Sequence, residues 1–347
     1  MNRRLWCEAR PVSPGCKGGG LSRRDDREGL QSGRSQRIRS LGPLKVPPSS
    51  TGDRPARPDP RAVDAFLFLE EGTLPSDTFE AWTKLGILQS QVSRPQEAIQ
   101  CFHRAIEIRP DLFESWYNLG NALVETGDFQ ASVSAYGQAL RICPDAHRVW
   151  YSLAFAHACR GDLVEAAECY GRAAVLVPDD YEVWYNLGNV FLDLGRAEES
   201  VRAYRKSLEH RRDDHEVWNN LGNALAQQRR QGEALACYQQ ALLLHPKYDP
   251  SWNNLGNVLE ETGDLEAACR AYRHAVSLAP QNPTYLVNLA SVLARCEQED
   301  QALDCLAQAL RLAPDLRHVI HGLPDIEPLL KHPKLTLDSS EPRRHEL

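Results

Sequence analysis

No apolar run in the chain reaches the roughly 18 residues that a membrane-spanning helix needs; the most apolar short stretch is AFLFL at 65–69. No membrane partner is therefore expected. No apolar segment follows Arg3 and Arg4, so the N-terminal region does not read as a secretory signal, and a cytoplasmic location is expected. No G-x-x-x-x-G-K-[ST] loop is present to cradle phosphates and no G-x-S-x-G elbow to present a nucleophile. Neither an enzyme nor a small-molecule substrate is expected. Ten cysteines are present, but no C-x-x-C pair and no H-E-x-x-H run, so no metal and no cofactor is expected. Positive charge is scarce beyond the first 61 residues. Those carry 14 Lys+Arg against 6 Asp+Glu, which leaves 26 against 41, a net of −15, for residues 62–347. Phosphate binding requires clustered cations, so nucleic acid is not expected as a partner of this acidic body.

Repetition is abundant. Six of the seven tryptophans, Trp82, Trp116, Trp150, Trp184, Trp218 and Trp252, are spaced by 34 residues every time. With each tryptophan at position 4, units begin at Phe79, Phe113, His147, Tyr181, His215, Asp249 and Pro283, and Leu286 replaces the tryptophan in the last. Position 7 is always leucine and position 8 always Gly or Ala. Small residues fill positions 20 and 27, and position 24 is large, as in Phe102, Tyr136, Tyr170, Tyr204, Tyr238, Tyr272 and Leu306. Proline closes every unit but one at position 32, where Arg212 is the exception.

Positions 4, 7, 8 and 11 follow the spacing of one helix face, and positions 20, 24 and 27 do the same on a second helix. Small residues at 8 and 20 let the two backbones approach. The pairs Gly127-Asp128, Gly161-Asp162 and Gly263-Asp264 mark the turn between the helices, and the proline stops the second. One hairpin cannot bury such a face alone, so neighbouring hairpins must stack. The cysteines obey the same register: Cys101, Cys169, Cys237 and Cys305 occupy position 23 of alternate units. Stacked units between them exclude disulfides.

This register resembles the tetratricopeptide repeat family. The resemblance implies an all-α solenoid of seven helical hairpins, at 79–112, 113–146, 147–180, 181–214, 215–248, 249–282 and 283–316, wound as a right-handed superhelix with the first helices lining its concave side. Residues 1–61, rich in Gly, Pro, Ser and Arg, read as a disordered basic arm. An N-terminal capping helix is expected at 62–78, a C-terminal capping helix at 317–335 and a polar tail at 336–347.

Asparagines also recur. Position 6 carries Asn118, Asn186, Asn220, Asn254 and Asn288, and position 9 carries Asn121, Asn189, Asn223 and Asn257. At about 100° per residue, positions 6 and 9 point away from the 4/7/8/11 seam. Two readings follow. In one, the amides face the groove as a ladder and pair with the main chain of an extended polypeptide, since a carboxamide both donates and accepts. In the other, they bond to a neighbouring repeat and order the stack. The NLGN units are similar to the repeats of protein O-GlcNAc transferases, whose asparagine ladder holds substrate polypeptide; the resemblance implies the first reading, without a catalytic domain. Tyr117, Tyr151 and Tyr185 at position 5 are expected to add stacking area to the groove. Acids at position 2 (Glu80, Glu114, Glu182, Glu216) and position 13 (Glu125, Asp193, Glu261) favour a neutral or basic segment.

The expected function is thus a non-catalytic protein-interaction scaffold whose partner is a protein or peptide segment. The rival is an accessory subunit of a separately encoded enzyme, such as a glycosyltransferase, or an assembly factor.

Overall fold

A computed structural model of the chain describes residues 78–336. The basic arm at 1–61, the capping helix expected at 62–78 (all but Thr78) and the tail from 337 onward lie outside the described residues. Among the described residues every regular element is a helix. These form two compact units that meet between Arg212 and Asp213 in sequence. The first holds α1 (Phe79–Gln91), α2 (Pro95–Ile108), α3 (Phe113–Glu125), α4 (Phe129–Ile142), α5 (His147–Arg160), α6 (Leu163–Leu176), α7 (Tyr181–Asp193) and α8 (Ala197–His210). The second holds α9 (His215–Gln227), α10 (Gln231–Leu244), α11 (Asp249–Glu261), α12 (Leu265–Leu278), α13 (Pro283–Arg295) and α14 (Glu299–Leu312), followed by the short α15 (Leu316–Ile320), α16 (Glu327–Leu330) and α17 (Pro333–Thr336).

The helices pair as hairpins, α1 with α2 through α13 with α14. Within each unit a second helix also packs on the next first helix, as α2 does on α3 and α10 on α11. Consecutive first helices touch as well: α1 meets α3, α3 meets α5, α9 meets α11 and α11 meets α13. A first helix inside a unit is therefore enclosed on more than one side.

Three local devices build each hairpin. The first is the turn. Position 15 has positive φ in all seven hairpins, with glycine at Gly127, Gly161, Gly195 and Gly263 and a side chain at Ser93, Arg229 and Glu297. The residue after it donates its N–H back across the turn, as Asp162 does to the His157 carbonyl at 3.0 Å. This closure satisfies a carbonyl at the helix end, and it needs a left-handed residue, which glycine supplies without steric cost.

The second is a close approach at position 8. A Cβ on Gly120 would stand 2.4 Å from Cε1 of Tyr136, and one on Gly222 would stand 2.5 Å from Cε1 of Tyr238. The position-24 ring lies against bare glycine backbone in five hairpins and faces a unit with Ala154 at position 8 in hairpin three; it is buried in all six. Each such aromatic stabilises the fold by about 2–3 kcal/mol.

The third device joins hairpins. The indole Nε1 of Trp116, Trp150, Trp184 and Trp252 donates to the carbonyls of Pro110, Pro144, Pro178 and Pro246, at 2.7 to 2.9 Å. The closing proline of one unit thus ends its helix and receives the tryptophan of the next.

At the C-terminal end three short helices stand where the sequence reading expects one. Gly322 takes φ 94°, Pro328 opens α16 and Pro333 opens α17, so no continuous ladder can form. The segment still covers the last hairpin: Ile320, Ile326, Leu329, Leu330 and Leu335 join the core cluster of Leu293, Leu303 and Leu306.

Candidate interaction face of the first helices

Positions 6, 9 and 13 lie three and four residues apart, so they form one stripe along each first helix. In the structure the amides on this stripe are largely withdrawn from solvent. Asn118, Asn186, Asn189, Asn220, Asn223, Asn254 and Asn257 are buried, while Asn121 and Asn288 are half-buried. The expectation that these side chains stand open in a groove is corrected on this point: contacts between consecutive first helices occupy the side that a single-helix projection leaves empty.

The amides are also engaged within the chain. Inside a hairpin, the position-24 hydroxyl donates to the position-9 amide oxygen: Tyr136 to Asn121, Tyr238 to Asn223 and Tyr272 to Asn257, each at 2.8 Å, and Tyr204 to Asn189 at 2.5 Å. Between hairpins, position 6 donates to position 5 of the preceding unit. Asn186 Nδ2 reaches the Tyr151 hydroxyl at 2.8 Å, Asn254 Nδ2 reaches Asn219 Oδ1 at 3.1 Å, and Asn288 Nδ2 reaches Asn253 Oδ1 at 2.9 Å. These bonds run between the protein's own groups, from one hairpin to the next. Each such bond contributes about 1 kcal/mol net.

The three position-5 tyrosines are corrected likewise. Tyr117, Tyr151 and Tyr185 are buried against the position-24 rings of their own hairpins, with centroids 6.2 Å, 5.5 Å and 6.1 Å from Tyr136, Tyr170 and Tyr204. Desolvation pushes the Tyr151 hydroxyl well above its ordinary pKa, so it is a neutral donor and acceptor.

The carboxylates at the ends of the stripe are more open. Glu114, Glu125 and Glu261 are exposed, and Glu182, Asp193 and Glu216 are half-buried. Burial pushes the half-buried Asp193 carboxyl up to about 7. Among the described residues no group of three or more His, Cys, Asp or Glu side chains could hold a metal ion, and no helix is long and apolar enough to cross a membrane.

Comparisons with known proteins accord with this architecture. The sequence profile of the cilia and flagella-associated protein 70 C-terminal domain matches residues 56–259, more than half of the chain. The chain belongs to that family. Tetratricopeptide repeat profiles match residues 249–282 and 286–320. A comparison with curated proteins gives no match. Among solved structures, PilF of Pseudomonas aeruginosa is 20% identical, with TM-score 0.51, over 60% of this chain and 94% of its own. The Cut9-Hcn1 hetero-tetramer of APC/C is similar at 17% identity and TM-score 0.50, over 73% of this chain and 49% of that one. YrrB, described as a tetratricopeptide protein with an unusual peptide-binding site, is 20% identical with TM-score 0.49, over 54% of this chain and 97% of its own. At these identities the likeness is one of fold.

Residues that the sequence reading passed over in this family member sit beside the ladder. Glu260, 3% exposed, receives Arg295 Nη1 at 2.9 Å and the Tyr272 hydroxyl at 3.0 Å, which links hairpins six and seven. Asp180 caps α7 through the amides of Glu182 and Val183, and it lies 3.3 Å from His147 Nε2 at the start of α5. A signal for the ladder was present in the sequence. Position 9 is Asn wherever position 24 is Tyr in hairpins two, four, five and six, but Ile87 pairs with Phe102 and Ser291 with Leu306.

Proposed function

We propose that this member of the family is a non-catalytic cytoplasmic scaffold that holds an extended, neutral or basic polypeptide segment along its first-helix face. The observation that supports this reading is the half-buried position-13 carboxylate Asp193, raised by desolvation, with exposed Glu125 at the same position of α3. A carboxylate held in that state gains from a cationic partner more than an exposed one does. Exposed Glu114 and half-buried Glu182, at position 2 of the same helices, extend the acidic character.

In this reading the asparagines have two tasks. Their bonds to tyrosines and to the preceding repeat order the stack. Where the amide oxygen is taken, as in Asn121, Asn223 and Asn257, the Nδ2 end is the one offered to a peptide carbonyl. This is the use implied by the resemblance to the O-GlcNAc transferase repeats. The family takes its name from cilia and flagella, so ciliated cells are the first place to seek the partner.

The test is crosslinking mass spectrometry on the full chain captured from native cells, with a carboxylate-reactive crosslinker. Crosslinks from the partner to Glu114, Glu125, Glu182 and Glu261 are expected. Crosslinks confined to residues 1–61 or to the second helices would contradict the reading and favour an accessory subunit docked elsewhere.

A further inference from the structure

In the second unit, Asn223, Tyr238, Asn254, Asn257 and Glu261 line a shallow cleft between hairpins five and six. Asn223 is 3% exposed. Its Oδ1 accepts from the Tyr238 hydroxyl at 2.8 Å and from Asn254 Nδ2 at 3.0 Å, which fixes which end of the amide is which. The other end, Nδ2, is buried in the cleft wall without a hydrogen-bond partner. Leaving such a donor unmet costs about 1–3 kcal/mol, so an acceptor that enters the cleft recovers it. One repeat further on, Asn257 gives its Oδ1 to Tyr272, so its Nδ2 is the end available to a ligand. Glu261 stands one turn beyond Asn257 on the same stripe and is exposed.

The cleft therefore combines amide donors with a carboxylate. Donors of that kind take a carbonyl oxygen, and the carboxylate takes a cation. Both groups come together in one peptide residue that carries a basic side chain. Hairpin three has no equivalent, since Phe155 stands at its position 9.

We infer that this cleft is an anchoring subsite for a lysine or arginine residue of an extended peptide: Asn223 Nδ2 donates to its main-chain carbonyl, and Glu261 pairs with its ammonium or guanidinium. The inference rests on the reading that the first-helix face holds polypeptide, and it fixes one register for that segment. Elsewhere on the stripe the ladder uses much of the amide capacity internally; here a buried donor remains.

The experiment uses the full chain labelled with ¹⁵N-asparagine and two fluorescent undecapeptides, one of alternating serine and arginine and one of alternating serine and glutamate. The side-chain NH₂ signal lost in Asn223→Ser identifies Asn223. That signal is expected to move on titration with the arginine peptide and to stay in place with the glutamate peptide. Glu261→Gln should weaken the arginine peptide about fivefold, the scale of an exposed ion pair, while Glu266→Gln on α12, exposed but away from the cleft, changes it by less than about twofold. The two glutamate variants hold the test even where Asn223→Ser fails to fold. Binding with an unmoved Asn223 signal, or with equal losses in both glutamate variants, overturns the subsite and leaves the scaffold reading standing. If the arginine peptide fails to bind although native crosslinks fall on the first helices, the cationic assignment is overturned. If those crosslinks fall elsewhere, the scaffold reading fails and the subsite falls with it.

Discussion

The Tyr238 hydroxyl donates to Oδ1 of Asn223 at 2.8 Å, across the two helices of a single hairpin. Tyr170 is the counterpart in hairpin three, where Phe155 occupies the asparagine's place, and its fully buried hydroxyl has no well-formed hydrogen bond, with the Asn186 amide near it. The same substitution should therefore have different effects at the two sites. Tyr238→Phe removes one of the two donors to Asn223 Oδ1, leaving Asn254 Nδ2, and is expected to cost about 1 kcal/mol, whereas Tyr170→Phe removes a poorly met hydroxyl and is expected to be neutral or stabilising by up to about 1 kcal/mol. Urea unfolding of the two variants against the parent chain checks this.

The inter-helix turn offers a gain. Glu297 holds φ 59° at the position where four other hairpins have glycine, and it is exposed. A left-handed conformation costs a side-chain-bearing residue about 1–2 kcal/mol. Glu297→Gly should raise stability by about 1 kcal/mol, part of the relief being lost to the greater freedom of glycine in the unfolded chain. The converse, Gly161→Ala, should lower it by a similar amount. Thermal unfolding reads both.

Two aspartates of the first unit should respond to pH in opposite senses. Burial works to raise the Asp180 carboxyl, but the His147 imidazole 3.3 Å away and the amides of Val183 and Glu182 outweigh it and hold the group below its ordinary value. Its contribution is therefore present above the ordinary aspartate range and is lost as pH falls through the lowered value. Asp193 is pushed by burial up to about 7. Its contribution is present below the ordinary range and is lost as pH rises through about 7. Asp193→Asn should thus help most at high pH. Its stability relative to the parent is expected to improve by about 2 kcal/mol between about pH 4 and pH 8, a figure reduced for partial solvent screening. Asp180→Asn should be costly at neutral pH and nearly silent in acid. Denaturation curves across that range separate the two.

The pair of buried Glu260 and exposed Arg295, between hairpins six and seven, is expected to behave as a unit. Arg295→Met removes the cation beside the Glu260 carboxylate, 3% exposed, and should cost about 1–2 kcal/mol, a figure reduced because the guanidinium is partly solvated. Adding Glu260→Gln in the same chain should restore most of the loss, since the amide can still accept from Tyr272. A double-mutant cycle by chemical denaturation measures the coupling.

The hairpins were legible because their determinants are local and repeated. The 34-residue tryptophan spacing, the small residue at position 8 and the proline at position 32 each correspond to a contact: a first helix, a ring on bare backbone and an indole on a carbonyl. The amide stripe was legible in composition and not in environment. A projection of one helix marks the direction of Asn186 and Asn189, but whether that direction meets solvent depends on neighbouring first helices, a relation between hairpins that a wheel does not contain. Pairing position 9 with position 24 across the units would have shown the polar match. The C-terminal cap was misread as one helix because its apolar spacing outweighed Gly322, Pro328 and Pro333, each of which interrupts a helical ladder.

Photo-crosslinking at defined positions tests most directly where the partner lies. A benzophenone amino acid is placed singly at Glu114 and Glu261 on first helices, and at Val175 and Leu243, each 75% exposed on second helices. With the native partner bound, adducts are expected from positions 114 and 261 and not from 175 or 243. Adducts from the second-helix positions alone would contradict a polypeptide held along the first helices.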